Sequence, residues 1–418
     1  MAKLREHTPN SFTAYRARIG LGFGPDDYFS EHDEIVLNWP YKDCVLEGGQ
    51  TKEQTFREEK FFHPILSASA INRLFEPKIF TNWQRHNSHG TNNLKLLKSN
   101  DNLLIKGNNL VVLHSLRPRF AGKVKLIYID VPFNTGKDIF HYNDNFTHST
   151  WLTFMKNRLE IARELLAEDG SFFLHVDWHE CHYLKVLCDE IFGRDNFINE
   201  IIWCYTGPSS PKMAQLNRKH DTILWYSKTP NHYIFNKDAI RVPYSDPHQS
   251  MRKTLTNDTW TKEDEARMRA RGRIPDDWWD DIPVAARAKI DGVRRTGYST
   301  EKPYKLLDRI ILMASNEGDL VLDFFAGSGT TLYSAARLNR HFIGVEQLSG
   351  AYRLMEKRLE ATGNFVSCEL MPSPEFADIA ANNPEKVDEN LRYLNYADLD
   401  KLKFISNEDK AHNVAFYS

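Results

Sequence analysis

Leu126-Ile-Tyr-Ile-Asp-Val-Pro-Phe-Asn-Thr-Gly136 has the form of a strand that runs straight into a ligand site. Four apolar residues end on Asp130, followed by a proline, an aromatic and a turn. An apolar run of this length, bounded by Pro and Gly, predicts a buried strand. Asp130 then stands at its carboxyl end, where ligands bind in open α/β sheets. Pro132 stiffens the backbone, and Phe133 offers a flat face just beyond it. One acceptor, one fixed carbonyl and one aromatic plate suit a planar ring held by its exocyclic amine. A strand end capped by a turn-forming Asp is the commoner use of any single Asp-Xaa-Pro, so the flanks have to decide.

On the amino-terminal side, Asn102-Leu-Leu-Ile-Lys-Gly-Asn-Asn-Leu110 predicts a strand, a tight turn at Gly107 and a helix to Leu116. Asn108 or Asn109 can cap that helix, or its amide can hydrogen-bond a nucleoside base. On the other side, Leu152, Met155, Leu159, Ala162 and Leu166 recur at helical spacing, with Ser149 or Thr150 as N-cap. Gly170 ends that helix, and Ser171 to Val176 reads as a strand. Strand, helix, strand is a βαβ crossover, which implies a parallel sheet. A helix from Tyr183 to Phe192 follows. Glu200 to Tyr205 and Asp221 to Tyr226 then predict an antiparallel pair at the sheet edge. The loop between them carries Ser209, Ser210, Lys212, Arg218 and Lys219, suited to phosphates. His175, His179, Cys181 and His182 lack any metal-binding spacing, so no metal is expected.

A second apolar stretch, Leu320-Val-Leu-Asp-Phe-Phe-Ala-Gly-Ser-Gly-Thr-Thr331, is a strand running into a Gly-rich turn and a helix. Phe342-Ile-Gly-Val-Glu346 is the next strand and also ends on an acid. Glycines let backbone approach a ligand, and an acid at the following strand end accepts from ribose hydroxyls. The absence of Gly-Lys-Ser/Thr excludes a P-loop. The Gly-Ser-Gly-Thr spacing departs from the dinucleotide pattern. Before it, Lys302-Pro-Tyr-Lys-Leu-Leu-Asp-Arg-Ile-Ile-Leu312 is a helix opened by proline.

At 418 residues the chain has room for two or three domains. Its 41% hydrophobic and 26% charged residues are ordinary for a globular protein, and the net charge of -2 neither supports nor excludes nucleic acid. Five scattered Cys are too few for a disulfide framework and fit a reducing, cytoplasmic setting. No signal-peptide pattern or 18-residue apolar run appears, so neither export nor a membrane span is expected.

Residues 1–95 read as an N-terminal extension, with Phe61 to Leu74 helical. Residues 96–236 read as the catalytic half of a core, 237–298 as an inserted recognition region, 299–362 as the cofactor-binding half, and 363–418 as a peripheral, helical C-terminal extension. Within the insertion, Met251 to Arg273 holds seven Lys or Arg against four Asp or Glu. Trp260, Trp278 and Trp279 are interleaved. Basic residues position phosphates, and polar or aromatic residues between them can read base edges. Arg252, Lys253, Arg269, Arg271, Arg273, Arg294 and Arg295, with Lys212, Arg218 and Lys219, are the candidate DNA contacts. A solvated helix face explains Lys262 to Ala270 well, but as an insertion on a catalytic sheet the region favours DNA contact.

Asp-Val-Pro-Phe-Asn-Thr-Gly, then Thr147-His-Ser-Thr-Trp-Leu-Thr-Phe-Met-Lys-Asn-Arg158, then Lys302-Pro, then Asp-Phe-Phe-Ala-Gly-Ser-Gly-Thr-Thr, together resemble the β-class DNA amino-methyltransferases. These include type III restriction-modification Mod subunits and their solitary relatives. The resemblance implies a Rossmann-like α/β fold: a seven-stranded sheet with one antiparallel edge strand and circularly permuted motif order. It implies S-adenosyl-L-methionine as cofactor, double-stranded DNA as substrate, a homodimer, and a restriction subunit as a further partner. Carried over by position, Asp323, Ala326, Gly327, Ser328, Gly329 and Thr330 would line the methionine end. Glu346 would hold the ribose, and Asn108 or Asn109 would lie near the adenine. Lys302 and Pro303 would close the site. Phe325, Gln347 and Asp130 also count among the cofactor-binding residues. Asp130, Val131, Pro132 and Phe133 would hold the target base.

This chain departs from the family where two prolines and a tyrosine usually stand at residues 131 to 133. Val131 supplies the same carbonyl as a proline but not the lock on φ. Phe133 stacks without a hydroxyl. Asn108-Asn109 replaces a common Asp, and an amide is a weaker acceptor than a carboxylate. The expected activity is site-specific methylation of the adenine N6 amine, with base flipping. The alternatives are N4-cytosine methylation, a nucleotide-dependent oxidoreductase on the same sheet, or a DNA-binding protein with lapsed catalysis.

Overall fold

A computed structural model describes residues 37–46, 61–62, 80–94, 97–98, 100–136, 144, 146–207, 214–244, 261–285, 296–298 and 300–370, with short strands at 392–393 and 403–404. The strands that build its centre are β1 (Phe80–Asn87), β2 (Gly90–Asn93), β3 (Leu103–Lys106), β4 (Val124–Asp130), β5 (Leu166–Val176), β6 (Phe197–Cys204), β7 (His220–Ser227), β8 (Trp278–Trp279), β9 (Leu320–Asp323), β10 (His341–Glu346) and β11 (Phe365–Leu370). They lie in the order β8-β6-β7-β5-β4-β9-β10-β3-β11-β1, and β2 folds back on β1.

The expected seven strands are β3-β10-β9-β4-β5-β7-β6. Of these only β7 runs against its neighbours. It lies one place in from β6 rather than at the edge, because the β6–β7 pair turns back into the sheet and joins β5. Helices α1 (Asn109–Phe120), α2 (His148–Leu165) and α3 (Cys181–Phe192) share one apolar core with one face of the sheet. Helices α5 (Tyr304–Ala314), α6 (Thr330–Arg337) and α7 (Ser349–Leu359) share the other. Helix α4 (Lys262–Arg271) has no buried residue.

Several expectations shift. The sheet continues beyond β3 through β11 and β1, so the core reaches into both segments set aside as extensions. Phe365, Val366, Ser367 and Cys368 are all buried, and the His86 ring stacks on Phe365 with centroids 4.2 Å apart. A six-residue strand followed by a polar run carries too little periodicity to reveal itself. Phe61–Phe62 is a strand paired with Val45–Leu46, not a helix; residues 63–74 lie outside the described residues. Helix α2 is capped by Thr147 rather than Ser149 or Thr150, and β5 begins directly at Leu166. Gly170 therefore sits inside the strand, at a register shift, where a Cβ would come within 2.9 Å of two backbone oxygens. Among the described residues no helix is long and apolar enough to cross a membrane, and no metal-binding cluster occurs.

Candidate active site

From β4 the chain goes through α2 to β5 on one side; from β9 it goes through α6 to β10 on the other. The order reverses between β4 and β9, which are hydrogen-bonded neighbours with Val321 opposite Leu126. A cleft opens outside the carboxyl ends of strands at such a switch point. Its cavity volume is about 230 Å³. Asp130, Val131, Pro132 and Phe133 line one wall, and Asp323, Phe325, Ala326, Gly327, Ser328 and Thr330 the other. Lys302, Glu346 and Gln347 also line it. Two chain segments far apart in sequence thus face one space.

The loop after Asp130 is held at nearly every residue. The Val131 N–H donates to the His175 carbonyl at 3.4 Å, a bond that a proline at this position would lack. The Pro132 carbonyl accepts from the Trp151 indole at 3.0 Å. Asn134 adopts a left-handed backbone, φ 57°, which Asn tolerates. Its N–H donates to Asp144 at 2.8 Å, and its amide donates to the buried Glu180 carboxylate at 2.6 Å while accepting from the Phe146 N–H at 2.7 Å. These bonds supply the rigidity that Val131 forgoes. Lys302 Nζ donates to both Asp130 oxygens at 2.8 Å and lies 4.8 Å from the centre of the Phe133 ring. A carboxylate offers about four acceptor positions, so Asp130 keeps capacity for a further donor.

On the opposite wall the Gly-rich turn is closed onto the acid of β10. Gly327 has φ +52°, and its N–H donates to Glu346 Oε2 at 3.0 Å. The Leu348 N–H donates to Oε1 at 2.7 Å. Burial pushes the Glu346 carboxyl up to about 7 against these bonds. Burial likewise pushes Asp323 up to about 7, with the charges of Asp130 and Glu346 adding to the effect. The Gln347 Oε1 is buried and has no hydrogen-bond partner among the described residues. Backbone exposed at the turn, an acid at the strand end and an unmatched acceptor fit an amphipathic nucleoside.

Four expected cofactor contacts do not line the cleft. Asn108 caps α1, its side chain accepting from the Leu110 N–H at 3.0 Å. Asn109 is fully buried; its amide donates to the Phe324 carbonyl at 2.9 Å and accepts from Arg158 at 2.7 Å. It supports the strand end from beneath. Gly329 caps α6 at φ +75°, where a Cβ would lie 2.4 Å from Met355. Pro303 caps α5.

The cleft also recruits Tyr128, Thr135 and Thr331, which lie within the quoted motifs without an expected role, and Tyr298 and Thr300, which lie outside them, as does Asp144. Behind the turn, Arg358 Nη1 donates to the Ser328 carbonyl and the Thr330 hydroxyl, both at 2.9 Å. Its Nη2 pairs with Glu301, beside Lys302, with the two side chains only 7% and 3% exposed. Glu301 in turn accepts from the Thr296 N–H at 3.0 Å and its hydroxyl at 2.8 Å. One ion pair therefore locks the Gly-rich turn to the segment that aims Lys302. The sequence signal for Tyr298 and Glu301 was their place just ahead of Lys302-Pro303.

The basic candidates divide. Lys212, Arg252, Lys253, Arg294 and Arg295, and also Trp260, lie outside the described residues. Arg269 pairs with Glu265, Arg271 with Asp238 and Arg273 with Asp276, so the solvated-face reading of α4 fits. Trp279 is buried in the sheet edge, with Arg309 over its ring, and is not a base reader; Trp278 is exposed. Arg218 and Lys219 lie just before β7 on the side of the cleft.

The model of the N6/N4 DNA methylase family matches residues 124–357. A probable type III restriction-modification enzyme HindVI Mod subunit of Haemophilus influenzae is 30% identical over 88% of this chain and 75% of its own length. The DNA adenine methyltransferase YhdJ of Escherichia coli K12 is 27% identical over 60% of this chain and 81% of its own length. The crystal structure of the M1.HpyAVI–SAM complex matches at 20% identity and a TM-score of 0.42, over 62% of this chain and 98% of that one. The family match runs from the first residue of β4 into α7 and takes in both walls of the cleft, so the chain belongs to the N6/N4 DNA methylase family.

Proposed function

We propose that the chain transfers a methyl group from S-adenosyl-L-methionine to the N6 amine of adenine at specific sites in double-stranded DNA. The observation that carries this reading is the shared cleft, with the Asp130 carboxylate on one wall and the Gly327–Glu346 turn on the other. The bound cofactor supplies an electrophilic methyl. Glu346 holds the ribose hydroxyls, and the Gln347 Oε1 takes a nucleoside donor. Asp323, Phe325, Ala326, Gly327, Ser328 and Thr330 enclose the methionine end.

A flipped adenine enters from the other wall and stacks on Phe133. Its amine donates one hydrogen to Asp130 and one to the Val131 carbonyl. Both acceptors draw the nitrogen out of conjugation and turn its lone pair toward the cofactor side. Asp130 takes the proton that the amine loses, and the Lys302 ammonium balances the carboxylate before it does so. Positioning supplies much of the acceleration.

The first residue of the motif, Asp130, favours adenine over cytosine, in keeping with the relative named a DNA adenine methyltransferase. Digesting duplex DNA after incubation with the chain and the cofactor, then identifying the methylated nucleoside, tests the reading. N6-methyladenine supports it, and N4-methylcytosine alone replaces it with the cytosine reading. We further propose a homodimer, checked by light scattering, and a restriction subunit as partner, in line with the Mod relative. A cytoplasmic setting fits five free cysteines.

A further inference from the structure

We propose that Arg218, stacked on Trp178, forms a preset clasp for the phosphodiester beside the nucleotide that enters the cleft. This rests on the DNA methylation reading above. In the β4–β5 register Asp130 stands opposite His175, so Trp178 follows the catalytic level by three residues, just beyond the carboxyl end of β5. The turn that carries it is tied to the catalytic loop. Glu180, wholly buried, accepts from Asn134 at 2.6 Å and from His148 at 2.8 Å. Asp177 accepts from the His179 N–H at 3.0 Å. One hydrogen bond, from Asn134 to Glu180, therefore ties the turn to the loop after Asp130.

Trp178 nevertheless leaves 42% of its surface exposed. The Arg218 guanidinium lies 3.6 Å from its ring centroid, and the His179 ring packs at 3.9 Å. Arg218 is itself exposed. Among the described residues no carboxylate pairs with it, whereas Arg269, Arg271 and Arg273 are each neutralised by a nearby acid. With its carbon this close to the ring face, the guanidinium rests on the indole through a contact that uses none of its N–H groups as hydrogen-bond donors. A planar fork held in this way matches phosphate oxygens two at a time and loses little freedom on binding. The chemistry recognised is a phosphodiester, and its place is beyond the carboxyl end of β5, the strand paired with the one that ends on Asp130.

The test is duplex-DNA affinity, read by fluorescence anisotropy over a range of salt, for the full chain and for R218A, R218K, W178F, W178A and W178A/R218A. Loss of one phosphate contact makes the slope of log affinity against log salt shallower by about 0.9. R218A is expected to show that change and a several-fold loss of affinity. W178A is expected to show part of it, W178F to retain most of the affinity, R218K to keep the wild-type slope but lose affinity because a lysine keeps the charge without the fork, and the double variant to be no weaker than R218A. Calorimetric binding of S-adenosyl-L-methionine by each variant serves as the folding control. A wild-type slope for R218A, in a chain that still methylates DNA, overturns the clasp and leaves the proposed function standing. Additive losses in the double variant overturn the stacking. A wild-type chain that neither binds nor methylates DNA overturns both.

Discussion

Arg358→Met probes the brace behind the cofactor turn. The substitution removes a guanidinium that is 7% exposed and leaves Glu301, 3% exposed, with one carboxylate oxygen unpaired. Removing one partner of a buried pair costs about 3–5 kcal/mol, because a charge stays behind without compensation. Glu301 keeps two donors from Thr296 on its other oxygen, which points to the lower end, about 3 kcal/mol. The Ser328 carbonyl and the Thr330 hydroxyl also lose their 2.9 Å partners, so the Gly-rich turn loosens where the cofactor binds. Urea unfolding should register the loss as a lower midpoint, and calorimetry should show weaker binding of S-adenosyl-L-methionine. Adding Glu301→Gln to Arg358→Met removes the stranded charge and should recover part of the stability without recovering affinity. An Arg358→Met chain within about 0.5 kcal/mol of wild type, binding the cofactor normally, would refute the reasoning.

Three further outcomes are expected. Burial lifts Glu346 to about 7, above the 4.5 usual for a free glutamate, so the fold favours its neutral form and loses stability as pH rises between those values. Cofactor binding should run the opposite way, strengthening as pH rises through about 7, because ribose hydroxyls donate to the ionised form; Glu346→Gln should flatten that profile in calorimetry, and a flat wild-type profile would contradict the assignment. Asn134→Ala removes bonds to Glu180 and Phe146 and should lower the single-turnover methylation rate while leaving cofactor affinity unchanged; an unaltered rate would mean that the loop needs no such bracing. Lys302→Met strips the ammonium from Asp130 and should slow methyl transfer more than it weakens DNA binding, which rapid-quench kinetics and anisotropy separate.

The parts of this molecule legible in its sequence are those encoded by consecutive residues. The apolar run ending at Asp130, the helix from His148 and the Gly-Ser-Gly turn each carry their own pattern. The consequence of Val131 was not legible. Its N–H reaches His175, and Pro132 is fixed by Trp151, so rigidity comes from side chains and strands that no local pattern connects to the motif. Asn108 or Asn109 reads as a cofactor contact from its place after the Gly107 turn and from the family resemblance, yet Asn108 caps the helix and Arg158 and the Phe324 carbonyl engage the Asn109 amide. Strands β11 and β8 are short and polar-flanked, so only their sheet neighbours define them. The Arg358–Glu301 pair spans 57 residues and has no spacing signature.

Asp130→Ala is the most direct test of the central claim, that one carboxylate at the carboxyl end of β4 presents an amine to a cofactor held across the cleft. The measurement is single-turnover transfer of a labelled methyl group from S-adenosyl-L-methionine to duplex DNA, with cofactor affinity determined on the same preparation. The account predicts loss of transfer with cofactor binding retained. Transfer at the wild-type rate would contradict it.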